Sequence, residues 1–542
     1  MKIVSPVRTP GLRRRLAVAG ALITTAALVL TGCAAGSSST SSTAAGKTLT
    51  IAVPSYPSSW DQDFVAFDPI ALALYKNVYP YLVDYGTTKV GSGTIQDTTN
   101  IMPAWAKSFT SDDGKLWTLK LRKGATFKNG DPITATDVKW SKDRAFAAKA
   151  NVAGVYALIG LTKPDQIKVV DKYTVTFDQA YASALSPQIQ AISLFIYDSK
   201  LMKKHATAKD PWAKAYAATH PSDGGLYNVS KAVSGQEITL TANKKYPAGD
   251  GPKVDKIVLK VVADAATESS LLRSGDVDIA MGLGTQQIAD LKGVSGVKTI
   301  SAPSNQMISI PFNVNVAPFD NVLVREAVAD AIPYKQIISS VYNGDARLPK
   351  SVVPIDMPGY TKDGFPYDTD LTEAKKLMAQ AGVTEAKTEL VYASGDDEQE
   401  QIAVIIQAAL AKIGITVTPT PLDAATLGDR RAAKDIPMQI TSGQQWVNDV
   451  EYLMAQWTTG AYLNYGNYSN ATVDSDVAES HTITDTDKRL DLWKDVQAQF
   501  AKDVPVIPIA QPNYNLPVRS TVSGFVQPVD GLIRLKYLTI SK

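Results

Sequence analysis

The sequence predicts an α/β protein built in layers, and three observations carry that prediction. Lys115 to Arg122, KLWTLKLR, puts Trp117, Leu119 and Leu121 on one side and Leu116, Thr118, Lys120 and Arg122 on the other, the period of a half-buried strand. Asp370-Leu371-Thr372-Glu373 has the arrangement of a capping box, and Ala374, Leu377, Met378 and Ala381 follow at helical spacing until Gly382. Ile402, Ile405, Ile406, Ala409, Leu410 and Ile413 then share one face of a second helix that stops at Gly414, and Ile415 to Thr418 restarts as a strand. Helix, glycine and strand in short succession are what stacked layers require. The 542 residues suffice for about three or four domain-sized units.

Before those layers comes a leader. Lys2, Arg8, Arg13, Arg14 and Arg15 precede an uncharged run from Leu16 to Leu30, LAVAGALITTAALVL, which is the layout of a signal peptide. The run is shorter than the roughly 20 residues that span a bilayer. Leu30-Thr31-Gly32-Cys33 follows and resembles the bacterial lipobox, in which cleavage before the cysteine frees a thiol for a diacylglycerol. Cys33 is the only cysteine, which excludes an internal disulfide and any multi-thiolate metal site. Residues 34–47, rich in Ser, Thr, Ala and Gly, offer no apolar pattern to bury and read as a flexible leash. Folding is expected to start near Thr48.

The leader also carries the basicity. The whole chain has Lys+Arg 55 against Asp+Glu 53, and taking away the five leader cations leaves 50 against 53, a formal −3. Neither balance resembles the cationic excess that displaces counterions from phosphates, so nucleic acid is excluded as a partner. Further along, Ile238 to Ala242 alternates as a strand, Val254 to Val262 reads as a more buried one, and Lys123-Gly124 and Asn129-Gly130-Asp131-Pro132 are turns.

Catalytic patterns are missing: there is no H-E-x-x-H, G-x-S-x-G, phosphate loop or G-x-G-x-x-G. His205, His220 and His481 are widely separated in polar surroundings and read as surface residues. The acidic clusters Asp112-Asp113, Asp396-Asp397-Glu398 and Asp368 with Asp370 sit where turns and helix starts need them. No cofactor or metal is expected. Between 442 and 470, Trp446, Tyr452, Trp457, Tyr462, Tyr465 and Tyr468 interleave with Gln444, Gln445, Asn448, Asn464 and Asn467 without helical or strand period. Flat faces beside amides suit either a site for a polar organic ligand or the edge of a core.

Four stretches resemble one family. Pro103-Ala104-Trp105-Ala106 through Asp113-Gly114, then Trp117 to Gly124, Phe127, Asn129-Gly130 and Asp137-Val138, form the first. Gly224-Gly225-Leu226-Tyr227 with Asn243, Tyr246 and Gly275-Asp276-Val277-Asp278 form the second; Phe312-Asn313, Pro318-Phe319-Asp320 and Val324-Arg325-Glu326-Ala327 the third; Asp503 to Pro508 the fourth. In that order, from about residue 80 to 530, the chain resembles the family 5 extracellular solute-binding proteins of ABC importers.

The resemblance implies a two-lobed clamp of the periplasmic-binding-protein type, class II and cluster C, with an extra third domain. Lobe I would comprise 48–78, 215–302 and 509–542, domain II 79–214, and lobe III 303–508, with ligand between lobes I and III. It implies a lipid-anchored, extracytoplasmic, monomeric receptor without enzymatic activity, which captures peptides and delivers them to permease subunits. A binder of another polar solute, such as an oligosaccharide or a metal chelate, is the alternative; an exported lipoprotein hydrolase and a surface sensor or adhesin are the others. In peptide-binding members a Trp-x-x-Asp segment supplies a carboxylate for the ligand's α-ammonium, and Trp446-Val447-Asn448-Asp449 has that spacing. Asp449 is therefore the expected amine anchor, with Trp446, Gln444, Gln445, Tyr56, Trp60 and Asn313 as expected ligand contacts. Val450-Glu451-Tyr452 departs from the family pattern just after it, as does Pro333 after Ala331-Ile332.

Overall fold

In the computed structural model the described residues are 47–541, apart from 66–67, 91–92, 194 and 462. The leader, Cys33 and the leash therefore lie outside the described residues. None of the described helices is long and apolar enough to cross a membrane.

The largest sheet has seven strands, in the order Val297–Ala302, Tyr514–Arg519, Ile279–Ala280, Thr48–Val53, Lys256–Val261, Glu237–Ala242 and Tyr227–Val233. Thr48–Val53 runs parallel to both Lys256–Val261 and Ile279–Ala280, with Ile51 opposite Leu259 and Ile279. Leu49, Ile51 and Val53 are buried in its core. The sheet thus gathers strands from both ends of the sequence. An antiparallel sheet of Ala106–Thr110, Leu116–Leu121, Thr174–Asp178 and Ile167–Asp171 shares that core. Leu119 is fully buried and Leu121 nearly so, whereas Leu116, on the opposite side, is 48% exposed; the alternation assigned those sides correctly.

A second body forms around a four-stranded sheet of Ala346–Arg347, Val506–Pro512, Gln306–Pro311 and Thr441–Gln444. Beside it, Ala386–Ala393 and Ile415–Leu422 pair in parallel through the helix Asp397–Leu410. Its helices start on the expected caps. Asp370 accepts from the N–H groups of Thr372 and Glu373 to open Leu371–Gln380, and Asp396 accepts from Gln399 N–H to open Asp397–Leu410. Asp113 likewise accepts from Lys115 and Leu116 N–H in its turn.

The chain crosses between the two bodies twice, through residues 303–305 and at Asn513. The crossings are tied together: Ser304 Oγ donates to Pro512 O at 2.6 Å, and Gln511 Nε2 donates to Ser304 O at 2.6 Å. The boundary expected between 508 and 509 falls inside the strand Val506–Pro512, which stays paired in the second body to its end.

Candidate ligand-binding site

The strand Thr441–Gln444 is the edge of the second body, with Gln444 opposite Gln306. Beyond it the chain turns through Gln445 to Asn448 and enters the helix Val450–Met454, capped by Asp449. Val447 is fully buried and Tyr452 nearly so, and both belong to the core of the first body. Trp446 packs half-buried against the same core. Polar groups complete the seam. Asn448 N–H donates to Gln188 Oε1 at 3.2 Å, Asn448 Nδ2 to Thr98 Oγ1 at 3.4 Å, and Asn305 Nδ2 to Asn448 Oδ1 at 3.2 Å. Gln444 Nε2 donates to Val529 O at 2.9 Å.

Asp449 sits at the end of this turn inside a charge cluster. Its Oδ1 accepts from Glu451 N–H at 2.9 Å and Arg489 Nη1 at 2.8 Å, and its Oδ2 accepts from Arg489 Nη2 at 2.7 Å. Arg489 Nη1 also donates to Glu451 Oε2 at 2.9 Å. On the other side of Glu451, His481 Nδ1 lies 2.6 Å from Oε1. The His481 ring stacks on Tyr181 of the first body at 5.7 Å. Asp449, Glu451 and Arg489 are all buried. Burial works against the charge of Arg489, but its bonds to Asp449 and the charges of both carboxylates outweigh it and hold the guanidinium above its ordinary value. Burial and the charge of Glu451 push the Tyr181 hydroxyl up as well.

Two carboxylates and one guanidinium sum to a formal −1 while His481 is neutral. A carboxylate offers about four lone-pair positions, and the three bonds to Asp449 leave one on Oδ2. The cluster therefore keeps both a net charge and an acceptor for an ammonium.

The other expected contacts are scattered. Gln445 is buried beside Trp446 in sequence. Tyr56 is half-buried against the first core, and Trp60 is 4% exposed within it, its carbonyl accepting from Tyr79 OH at 2.5 Å. Asn313 is 1% exposed. Its Nδ2 donates to Lys434 O at 2.8 Å, and its Oδ1 accepts from Asn315 N–H and Asn467 Nδ2, each at 3.2 Å. Trp60 thus packs in the core, and the Asn313 amide is bonded to Lys434, Asn315 and Asn467. The aromatic run does not form one wall either: Trp457 and Tyr468 pack on Phe500, Tyr465 lies under Arg431, and Tyr462 lies outside the described residues.

Sequence reading missed Arg489, passed over Glu451 as a departure, and took His481 for a surface residue. One signal was available for Arg489. It shares the buried stripe of Thr486–Asp503 with Trp493, Val496 and Phe500, so helical spacing alone puts a cation indoors, where it needs acidic partners. His205 and His220 instead sandwich Tyr216, at 3.7 and 4.2 Å.

A cavity of about 460 Å³ is lined by Thr285, Lys292, Lys298 and Ser301 from the first body and Tyr342 and Asp345 from the second. It contains none of the expected ligand contacts. Asp345 accepts from Asn513 Nδ2 and Asn515 Nδ2, each at 2.6 Å, while Tyr514 turns to the opposite face and stacks on Phe525. Among the described residues, no group of three or more His, Cys, Asp or Glu is arranged to hold a metal ion.

Comparison with known proteins agrees with this architecture. The model of the bacterial extracellular solute-binding proteins, family 5, matches residues 100–465. The probable D,D-dipeptide-binding periplasmic protein DdpA of Escherichia coli is 26% identical over 456 residues, covering 83% of this chain and 85% of that one. Heme-binding protein A of Haemophilus influenzae is 26% identical over 534 residues, covering 93% and 95%. Among solved structures, the periplasmic binding protein DppA of Helicobacter pylori in complex with the peptide STSA superposes with a TM-score of 0.81 at 24% identity, covering 92% of this chain and 98% of that one. With the match spanning about two thirds of its length, in a fold of two bodies joined by paired crossings, this chain belongs to the family 5 bacterial extracellular solute-binding proteins.

Proposed function

We propose that the protein is the capture receptor of an ABC importer, and that its ligand is a peptide, or a small solute like one, whose free amine meets the Asp449 cluster. The formal −1 buried at the seam between the two bodies carries this reading. A charge-assisted bond made where water is scarce orients the ligand's cationic end and gives no comparable hold to a neutral one. Relatives named for dipeptides, for glutathione and for haem are each about 26% identical, so overall similarity does not choose among ligands and the local chemistry has to. In this reading lobe I comprises 48–78, 215–302 and the chain after Asn513, domain II 79–214, and lobe III 303–512. The crossings at 303–305 and Asn513 act as the hinge. Ligand shifts the open–closed population toward the form a permease engages.

Asp449→Asn is expected to weaken the tetrapeptide Ser-Thr-Ser-Ala by about tenfold or more, a charged hydrogen bond being worth about 1.5–3 kcal/mol. N-acetyl Ser-Thr-Ser-Ala should bind weakly to both proteins and change little. Titration calorimetry with the two peptides decides, and equal losses for both would remove Asp449 from the role.

We also read Cys33 as the site of lipid attachment, on the lipobox-like Leu30-Thr31-Gly32 before it. Two or more acyl chains give stable anchoring where one does not. Cys33→Ala is expected to abolish labelling by a fatty-acid probe and to release the protein from membranes without detergent. Membrane retention and labelling equal to the parent chain would exclude lipidation at this residue.

A further inference from the structure

We propose that His481 sets the charge of the Asp449 anchor, so that an amine-bearing ligand is held at neutral pH and let go as the pH falls toward 5. The inference rests on the reading of Asp449 as amine anchor and adds to it a regulating residue. His481 closes the helix Ala471–Ser480 and faces Glu451, whose second oxygen shares Arg489 with Asp449. The titratable and charged groups around it are Glu451 and Asp449 at the start of Val450–Met454, Arg489 from Thr486–Asp503, Glu479 from its own helix, and Tyr181 across the seam.

Imidazole is the side chain whose ordinary charge change lies between pH 5 and 8. With His481 neutral, Asp449, Glu451 and Arg489 leave −1 for the ligand; with His481 protonated, the four groups sum to zero. Val450, Leu453 and Met454 share one buried cluster with Val473, Val477 and Trp493, so Glu451 and His481 sit on elements that pack together. What protonation changes is therefore the attraction for the ligand's ammonium. The signs agree by linkage: a bound ammonium disfavours a second positive charge nearby, so the proton and the ligand compete. A peptide α-amine stays largely charged below about pH 7.5, so loss of affinity between pH 7.3 and 5.0 cannot come from the amine itself.

The test measures dissociation constants of Ser-Thr-Ser-Ala and of Met-Leu, with their N-acetylated forms, at several pH values from 7.3 to 5.0. The full chain is compared with His481→Gln, which keeps polarity and cannot take a proton. The parent protein is expected to lose about tenfold affinity for the free-amine probes over this range, and His481→Gln to lose less than threefold. Free-amine selectivity with the same pH profile in His481→Gln overturns this proposal alone. Failure of both free-amine probes to bind, or equal binding of acetylated forms, overturns the anchor reading and this proposal with it.

Discussion

Arg144→Met is expected to destabilise the protein by about 3–5 kcal/mol, the cost of stranding buried charges when their partner is removed. The Arg144 side chain is fully buried on the helix Ala135–Ala147. Its Nη2 meets Asp61 Oδ2 at 2.6 Å, Nη1 meets Asp61 Oδ1 at 2.9 Å and also pairs with Asp63, and Nε donates to Trp212 O at 2.9 Å. Tyr197 donates a further bond to Asp61 Oδ1 at 2.7 Å, with its ring 4.8 Å from the guanidinium carbon. Asp61 and Asp63 are 2% and 4% exposed, so methionine would leave two carboxylates in the core without a guanidinium, Asp61 keeping the Tyr197 hydroxyl and the Asp63 N–H and Asp63 the nearby charge of Lys142. Denaturant unfolding measures the loss, and a change below about 1 kcal/mol would show that the core tolerates unpaired carboxylates here.

The same substitution should alter the pH dependence. Burial already pushes the Asp63 carboxyl up in the parent chain, with Arg144 opposing the rise. A folded-state value raised above the unfolded one contributes stability that is present below the unfolded value and lost as pH rises through the folded value. Without Arg144 that upward displacement grows. The variant should therefore recover stability on going from pH 7 to pH 5 more than the parent does, and Arg144→Lys should fall between the two because one ammonium cannot fork to both carboxylates.

Gly225→Ala should cost about 2–3 kcal/mol through overpacking. A Cβ at Gly225 would lie 2.5 Å from Val78 O and 2.7 Å from Tyr79 O, at the end of the helix Pro69–Val78. Both are backbone atoms that no side-chain rotation can move aside, and Gly225 N–H already donates to Val78 O at 2.7 Å. Gly428→Ala provides the opposite sign. It lies within the helix Ala424–Ala433, has nothing within 4 Å of its Cβ position, and should gain about 0.5–1 kcal/mol from helix propensity. Paired thermal melts of the two variants distinguish close approach from glycine flexibility; destabilisation by both would refute the packing argument.

These glycines show what kind of information a sequence exposes. Gly414 and Gly382 were legible as helix stops because a left-handed backbone residue after a periodic run is a local event, and both have positive φ. Gly225 was legible only as part of a motif, because the backbone it touches is about 150 residues away. The strand at 116–121 and the helices at 371–380 and 397–410 were readable for the same local reason, alternation or spacing written into adjacent residues. The candidate site was less readable. The Trp446-to-Asp449 spacing is written in four adjacent residues, whereas nothing local tells that the Asn313 amide is bonded to residues 434 and 467 or that the Trp60 indole packs inward.

By itself, then, the sequence determined the α/β layering, the caps and turns, the absence of any familiar catalytic pattern and the family resemblance, because each is encoded in short-range periodicity or in motif order. Only the tertiary structure decided which charges are free. Asp449 and Arg489 are forty positions apart, and Asp61 and Arg144 are eighty-three. Whether a carboxylate offers its charge to a ligand or spends it on a guanidinium depends on through-space distances of about 3 Å, and those are set by how helices and loops distant in sequence pack together, which no local pattern records.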